Sequence, residues 1–105
     1  MRVKLDNLEF FLKDETVLSE HVSVHFEYRE LENKALKIYL NCLVGSDVSE
    51  KVYRYQLKLI YIIDLTGIEY NTDEEMLEQA LTFLTEPLGD LVATLDSMIM
   101  DKQIH

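Results

Sequence analysis

Hydrophobic and polar residues alternate with a period of two over the first two thirds of the chain, a pattern typical of β-strands. Four segments carry this alternation, at about residues 2–13, 21–30, 35–44 and 52–66. Polar turn sequences separate them, including residues 30–34, which predict a hairpin, and Gly45-Ser46-Asp47, which ends the third segment. The sequence therefore predicts four antiparallel strands.

The fourth segment is the longest, and its apolar side chains share one face. They are Tyr53, Tyr55, Leu57, Leu59, Tyr61, Ile63 and Leu65. Such a strand would extend roughly 50 Å at ~3.4 Å per residue, which is more than a 105-residue domain needs for its own core. We expect the surplus apolar surface to be covered by a second subunit, a bound polypeptide, or both.

The first strand is irregular and the second is regular. In the first strand the apolar positions change parity between Leu5 and Leu8, and such a slip predicts a bulge or kink near Asp6 and Asn7. The second strand alternates without interruption. Its apolar side chains are predicted to face inward, and they are Val22, Val24, Phe26 and Tyr28.

After Gly67 the hydrophobic period becomes helical. Residues 72–75 (TDEE) form a capping box, with Thr72 as N-cap and Glu75 reaching back, which predicts a helix over about 73–84. Pro87, the only proline, fits the first turn of a second helix over about 87–101. The second helix carries an amphipathic stripe of Leu88, Leu91, Val92, Leu95, Met98 and Ile99.

Four strands followed by two helices predict an α+β fold. We expect a four-stranded, meander-like antiparallel sheet followed by two helices packed on one of its faces, forming a single domain over residues 1–105. A chain of this length leaves much of its surface exposed, so association into an oligomer would stabilise it by burying more of that surface.

Charge is unevenly distributed along the chain, whose net charge is −10. Residues 64–105 carry ten acidic side chains and only one basic residue, Lys102. Because phosphate backbones and anionic membranes are bound by Lys and Arg, we expect no nucleic-acid partner. The acidic half is interpreted as a solvated helical face; the alternative is that it attracts basic partners, including basic unfolded chains.

Cysteine usage and hydropathy indicate the compartment. A single cysteine, Cys42, excludes a disulfide framework and suits the reducing cytoplasm. Residues 1–4 (MRVK) run directly into mixed polar sequence, so no signal peptide is expected. No apolar run approaches the ~20 residues of a membrane span, and we expect no membrane insertion.

The sequence offers little catalytic chemistry. Three scattered glycines cannot build a phosphate-binding loop, and there is no cysteine pair for zinc or redox work. His21 and His25 share the outer face of the second strand with Glu27 beside them. These three side chains could contribute to a metal site, but solvated strand residues are the default interpretation. We therefore expect no enzymatic activity, no metal and no cofactor.

Residues 4–10 (KLDNLEF), the step Thr66-Gly67-Ile68 before an acidic helix start, and residues 81–87 (LTFLTEP) form an ordered set of motifs. Taken in this order they resemble the SecB family of bacterial protein-export chaperones, and residues 4–10 are similar to that family's first strand. The fourth strand running into Thr66-Gly67-Ile68, followed by the acidic start of a helix, resembles a Gly-hydrophobic step before the family's Glu-rich helix. Residues 81–87 (LTFLTEP) and the following stripe to Ile99 resemble its short helix, Pro-containing break and long helix.

The resemblance implies a small α+β subunit that self-associates. Two subunits would extend the sheet into a dimer, and dimers would pair through their long helices into a tetramer. SecB-like proteins hold unfolded polypeptides in grooves between sheet and helices, and the export chaperone passes them to the SecA motor. The family's Pro- and Asn-containing tail has no counterpart in residues 101–105 (DKQIH), so SecA is a doubtful partner for this chain.

The leading functional hypothesis is a SecB-like, ATP-independent chaperone that holds unfolded or precursor proteins. Candidate polypeptide-binding residues are Tyr53, Tyr55, Phe83, Leu84 and Leu88, and candidate oligomer-interface residues are Leu91, Leu95 and Met98. Each of these side chains could instead fill the core. The alternative function is a non-chaperone protein-interaction module, associated with a phage or a toxin–antitoxin pair, that retains the fold.

Overall fold

The computed structural model describes residues 2–46 and 52–104, with side chains described at positions 2–46 and 52–99. The chain divides into two compact units, Met1–Thr66 and Gly67–His105. The first unit contains four strands: β1 (Val3–Leu12), β2 (His21–Leu31), β3 (Ala35–Gly45) and β4 (Tyr53–Asp64). The second unit contains one helix, α1 (Asp73–Ile104). The predicted α+β class and four-stranded antiparallel sheet are confirmed.

The four strands form one sheet in the order β1-β4-β3-β2, and every neighbouring pair is antiparallel. Strands β2, β3 and β4 follow each other as a meander. The prediction of a meander-like sheet is wrong for β1, which pairs with β4 rather than with β2. The connection over residues 13–20 has enough length to carry the chain from one edge of the sheet to the other, so β1 and β2 are the two edge strands.

The bulge expected in the first strand is confirmed. Leu5 lies opposite Tyr61 and Asn7 lies opposite Ile60, so Asp6 is an extra residue on β1. The extra residue returns the later apolar positions of β1 to the face that Val3 and Leu5 occupy. The parity change in the sequence and the shift in the register are therefore the same feature.

A second bulge, which the sequence analysis did not predict, lies at the start of β4. Val44 is opposite Tyr55, whereas Gly45 is opposite Tyr53, and this leaves Arg54 as the additional residue. A Cβ atom placed on Gly45 would come within 2.6 Å of the Val52 carbonyl oxygen, so only glycine fits this close approach.

The second unit has one helix where the sequence analysis predicted two. The helix α1 is 32 residues long and includes Pro87 in its interior. The prediction took Pro87 as the start of a new helix, but the residues that precede Pro87 belong to the same helix. The Thr85 hydroxyl donates to the Leu81 carbonyl within the same helix, at 3.2 Å. The helix continues through the proline although Thr85, Gly89 and Asp90 near it are themselves weak helix formers.

The capping box at the start of α1 is confirmed. The Glu75 N–H donates to the Thr72 hydroxyl oxygen at 3.1 Å. The Glu75 carboxylate accepts in return from the Asn71 N–H at 2.9 Å, one residue before the N-cap. Within the described part of the chain, no helical stretch is both long and apolar enough to cross a membrane.

Candidate functional site

One face of the sheet, which we call the inner face, is apolar on all four strands. The strand registers align its side chains into rows that cross β1, β4, β3 and β2 in that order. In one row Phe10, Leu57, Cys42 and Val24 lie side by side, and in the next Leu8, Leu59, Leu40 and Phe26 do so. Every strand therefore contributes to a continuous apolar surface.

Burial divides each of these rows into a centre and two ends. The central side chains, on β4 and β3, are at most 4 % exposed. The side chains at the ends are 36–46 % exposed. On β1 they are Leu5, Leu8, Phe10 and Leu12, which we call the β1 apolar stripe. On β2 they are Val22, Val24, Phe26 and Tyr28, which we call the β2 apolar stripe. Exposed apolar surface of this extent, arranged contiguously, marks a surface for interaction with other molecules.

The two stripes differ in the regularity of their strands. The β1 apolar stripe is interrupted by the bulge at Asp6, whereas β2 pairs with β3 over its whole length without a register shift. The β1 edge also carries the exposed side chain of Phe11, on the opposite face. The β1 edge is therefore the more irregular and the richer in exposed apolar groups.

The structure places the predicted binding residues Tyr53 and Tyr55 on opposite faces. Tyr55 is on the inner face, is completely buried, and has its ring 5.2 Å from the ring of Phe10. Tyr53 lies opposite Gly45 on the outer face, is half-buried, and has the Lys13 ammonium group 4.3 Å from its ring centre. Only Tyr53 can be reached without moving other side chains.

Arg54, between the two tyrosines, is nearly buried, at 6 % exposure. Its backbone carbonyl accepts from the N–H groups of Lys13 and Asp14, at 2.8 and 3.0 Å, so the bulge also fixes the end of β1. Its Nη1 donates to the Ser19 hydroxyl at 3.3 Å. These contacts connect the bulge to both ends of the connection between β1 and β2.

The remaining predicted site residues lie on α1 in the second unit. Leu84 is buried, whereas Phe83 and Leu88 are half-buried. Of the predicted interface residues, Leu91 and Leu95 are half-buried and Met98 is 56 % exposed. The helix therefore keeps partly exposed apolar side chains beyond Pro87. Their roles in binding polypeptide or a second subunit stay predictions.

The outer face of the sheet carries an open cleft of about 590 Å³. A row of polar residues crosses it, consisting of Glu9, Lys58, Asn41 and His25 on successive strands. The Gln56 amide donates to the Asn41 side-chain oxygen at 2.7 Å, next to this row. The cleft thus combines acidic, basic and amide groups on one face of the sheet.

The histidines that the sequence analysis considered as metal ligands belong to no cluster of metal-binding side chains among the described residues. His21 and His25 are on β2, and within the described part of the chain no three His, Cys, Asp or Glu side chains come close enough together to bind an ion.

Several titratable groups of the first unit have shifted pKa values, and the shift at Cys42 argues against a reactive thiol. Burial raises the pKa of Cys42 to about 11, so its thiol is protonated at neutral pH. Burial also raises the pKa of Tyr61, with a smaller contribution from the neighbouring Cys42. Hydrogen bonds from Thr16 and Thr66 lower the pKa of Asp14 and Asp64 respectively, because they stabilise the ionised carboxylates.

The sequence analysis missed the two apolar stripes as functional surfaces. It assigned Val22, Val24, Phe26 and Tyr28 correctly to the inner face, but alternation alone does not reveal which strands lie at the edges. Pairing of β1 with β4 makes β2 an edge strand, and this is a property of the topology. The bulge near Asp6 was the only local signal that distinguished the β1 edge.

The chain was compared with protein-family models, curated proteins and solved structures, and it matches none of them. The resemblance to the SecB family therefore stays a prediction.

Proposed function

We propose that this chain is a SecB-like, ATP-independent polypeptide-binding protein that holds unfolded or precursor proteins on the β1 apolar stripe. The observation that carries the proposal is the partial exposure of Leu5, Leu8, Phe10 and Leu12 beside a fully buried apolar centre. An unfolded chain exposes apolar side chains at irregular spacing. A contiguous apolar strip binds them without requiring a particular sequence.

The edge position of β1 supports an extended ligand. A segment lying along β1 could form backbone hydrogen bonds with the edge and place alternate side chains over the inner face. The bulge at Asp6 prevents a long regular pairing, which favours short and reversible contacts over permanent strand addition. Such contacts suit a protein that must release its client.

The experiment compares two neighbouring substitutions on β1, Leu12→Ser and Phe11→Ser. Leu12 and Phe11 are 46 and 47 % exposed and point to the inner and outer faces respectively. We expect the unmodified protein to suppress aggregation of a reduced, unfolded client at near-stoichiometric ratio without ATP. Leu12→Ser should weaken this suppression several-fold, whereas Phe11→Ser should leave it close to that of the unmodified protein.

Two results would contradict the proposal. The first is an unmodified protein that does not delay aggregation of any unfolded client. The second is equal loss of activity in Leu12→Ser and Phe11→Ser, which would show that total surface hydrophobicity, and not the inner face, is responsible. Melting temperatures of both variants serve as a check that the sheet remains folded.

The polar cleft on the outer face favours a second candidate function, the non-chaperone interaction module. Acidic, basic and amide groups arranged on one surface, such as Glu9, Lys58 and Asn41, suit one defined partner better than a range of unfolded chains. If this second function is correct, Lys58→Glu should abolish capture of the partner. The unmodified protein should then not delay the aggregation of an unfolded client.

A further inference from the structure

We propose that the outer face of the sheet carries a docking site for an extended acidic polypeptide segment of another protein. The site consists of Lys4, Ile62, Lys37 and Arg29, which we call the basic row. It shares no residue with the lining of the polar cleft. The proposal does not depend on what the β1 apolar stripe binds.

The strand registers place the basic row in one line across the sheet. Lys4 lies opposite Ile62, Ile62 lies opposite Lys37, and Lys37 lies opposite Arg29. Directly opposite side chains point to the same face, and Ile62 lies between two buried inner-face residues of β4, so the row is on the outer face. Neighbouring strands are about 4.8 Å apart, which makes the row about 14 Å long.

The pair of Lys37 and Arg29 is unfavourable for the sheet by itself, because like charges directly opposite each other destabilise a strand pair. The Lys37 ammonium group lies 5.4 Å from the centre of the Tyr39 ring, which attracts a cation only weakly at a partly exposed site. Within the described residues, no hydrogen bond or ion pair engages the exposed side chains of Lys4 and Arg29. Carboxylates supplied by a partner would therefore relieve repulsion within the row.

Acidic side chains border the basic row on both sides. Glu27 on β2 and Asp64 on β4 are each two positions along the strand from a member of the row, and both are exposed. Residues two positions apart on a strand are about 6.8 Å apart. A ligand carboxylate that is displaced from the row would approach Glu27 or Asp64, so charge confines an acidic ligand to the line of the row.

The length of the basic row matches an extended segment that crosses the strands. In an extended chain, alternate side chains point the same way and recur about every 6.8 Å. If one acidic side chain pairs with Lys4, the second residue after it lies over Ile62, and the fourth reaches Arg29. The row therefore fits the order acidic-x-apolar-x-acidic, with the apolar side chain against the half-buried Ile62.

A polypeptide suits this row better than a nucleic acid. A nucleic acid carries a phosphate at every nucleotide and is bound by many Lys and Arg side chains. The basic row is short, is bordered by Glu27 and Asp64, and belongs to a chain with a net charge of −10. An acidic polypeptide can carry its charges only where the row is basic, and charge complementarity therefore selects it.

The first test measures binding of labelled peptides to the full chain by fluorescence anisotropy at low salt. The probe peptide contains the order Glu-Gly-Leu-Ser-Glu, and the control peptide contains the same residues in the order Glu-Glu-Gly-Ser-Leu. We expect the probe peptide to bind several-fold more tightly than the control peptide, and about 0.15 M salt to weaken its binding. Absence of binding at low salt, or equal binding of the two peptides, would overturn the proposal.

Two double variants locate the charges that matter. Lys4→Gln combined with Arg29→Gln should weaken binding of the probe peptide about tenfold. The matched control, Lys13→Gln combined with Lys58→Gln, removes the same number of positive charges outside the row and should change the affinity less than about twofold. Equal losses in the two double variants would show that net charge alone is responsible and would reject the site. Tighter binding of a single-stranded oligonucleotide than of the probe peptide would also reject it.

A second test maps the peptide on the unmodified chain by amide chemical shifts in NMR spectra. Shifts should concentrate at Lys4, Lys37 and Arg29, whereas shifts concentrated in the β1 apolar stripe or the polar cleft would contradict the proposal. Melting temperatures separate lost binding from lost folding. The variant that combines Lys4→Gln with Arg29→Gln should melt at the same temperature or higher, because Lys37 no longer faces a like charge. A clearly lower melting temperature would contradict the repulsion on which the site depends.

Discussion

Tyr53 and Tyr55 lie on opposite faces of the sheet, although a single residue separates them in the sequence. Arg54, the extra residue of the bulge opposite Gly45, reverses the alternation between them. Two tyrosines that alternation alone places together therefore have different surroundings, one against Lys13 on the outer face and one in the buried centre.

The first prediction follows from this difference. Tyr55→Ser should lower the free energy of unfolding by about 3–5 kcal/mol, because it removes a completely buried ring and its contact with Phe10. Tyr53→Ser should lower it by about 1 kcal/mol or less, since Tyr53 is only half-buried. Urea denaturation of both variants measures the two values. Similar losses in the two variants would contradict the assignment of the tyrosines to opposite faces.

The second prediction concerns alkaline pH. The pKa of Cys42 rises from 9.0 in the unfolded chain to about 11 in the sheet, so the unfolded chain loses this proton first. Stability is therefore full below pH 9 and decreases as the pH rises towards 11, by roughly 2–3 kcal/mol for this group. The raised pKa of Tyr61 acts in the same direction.

Cys42→Ala is the control for this effect. The urea midpoint of Cys42→Ala should decrease less between pH 8 and pH 11 than that of the unmodified protein. In a parallel measurement at pH 8, a thiol reagent should label Cys42 only after denaturation, because the thiol is both buried and protonated. Rapid labelling of the native protein would show that this part of the sheet is open.

The third prediction tests whether one helix or two follow the sheet. Because Pro87 lies within α1, Pro87→Ala should increase the free energy of unfolding by up to ~3 kcal/mol and increase helical circular dichroism. Gly89→Ala, two residues further along the same helix, is the reference, and it should add about 1 kcal/mol. If Pro87→Ala destabilises the protein, residue 87 begins a separate helix, as the sequence analysis expected.

The fourth prediction concerns the start of α1. Thr72→Ala removes the hydroxyl that accepts from the Glu75 N–H, and should lower stability by about 1 kcal/mol. Thr94→Ala is the matched control, because the Thr94 hydroxyl only donates to the Asp90 carbonyl inside the same helix. The control should change stability by less than about 0.5 kcal/mol in thermal or urea unfolding. Equal effects would indicate that Thr72 is not the N-cap.

The fifth prediction concerns the apolar residues of α1 beyond Pro87. If Leu91, Leu95 and Met98 form an interface between subunits, Leu95→Glu should give smaller species by light scattering, because a carboxylate would be buried without a partner. Asp96→Glu, at the next position, provides a control that preserves charge. An unchanged mass for Leu95→Glu would remove these residues from any interface.

Local sequence patterns predicted those features of the fold that depend on neighbouring residues. The parity change between Leu5 and Leu8 predicted the bulge at Asp6, and residues 72–75 predicted the N-cap of α1. Both features depend on residues that are neighbours in the sequence. The prediction at Pro87 was wrong because α1 continues through a residue type that usually ends a helix, and no local signal in the sequence marks this exception.

Features that depend on strand order could not be predicted in the same way. The alternation in β2 is as regular as that in β3, yet the apolar side chains of β2 are half-exposed and those of β3 are buried. The difference arises because β4 inserts between β1 and β3 and leaves β2 at an edge. The bulge at Arg54 likewise depends on the approach of Val52 and Tyr53 to Gly45, which no local pattern encodes.

The single inserted residue Asp6 has a consequence for how the β1 edge can pair with another strand. A sheet with one regular edge is complete once that edge is covered, whereas a sheet with two regular edges can add copies without limit and grow into a filament. Deleting Asp6 would restore an even register along β1 and create the second regular edge. One inserted residue in the first strand therefore interrupts the regular edge on which strand-by-strand growth depends.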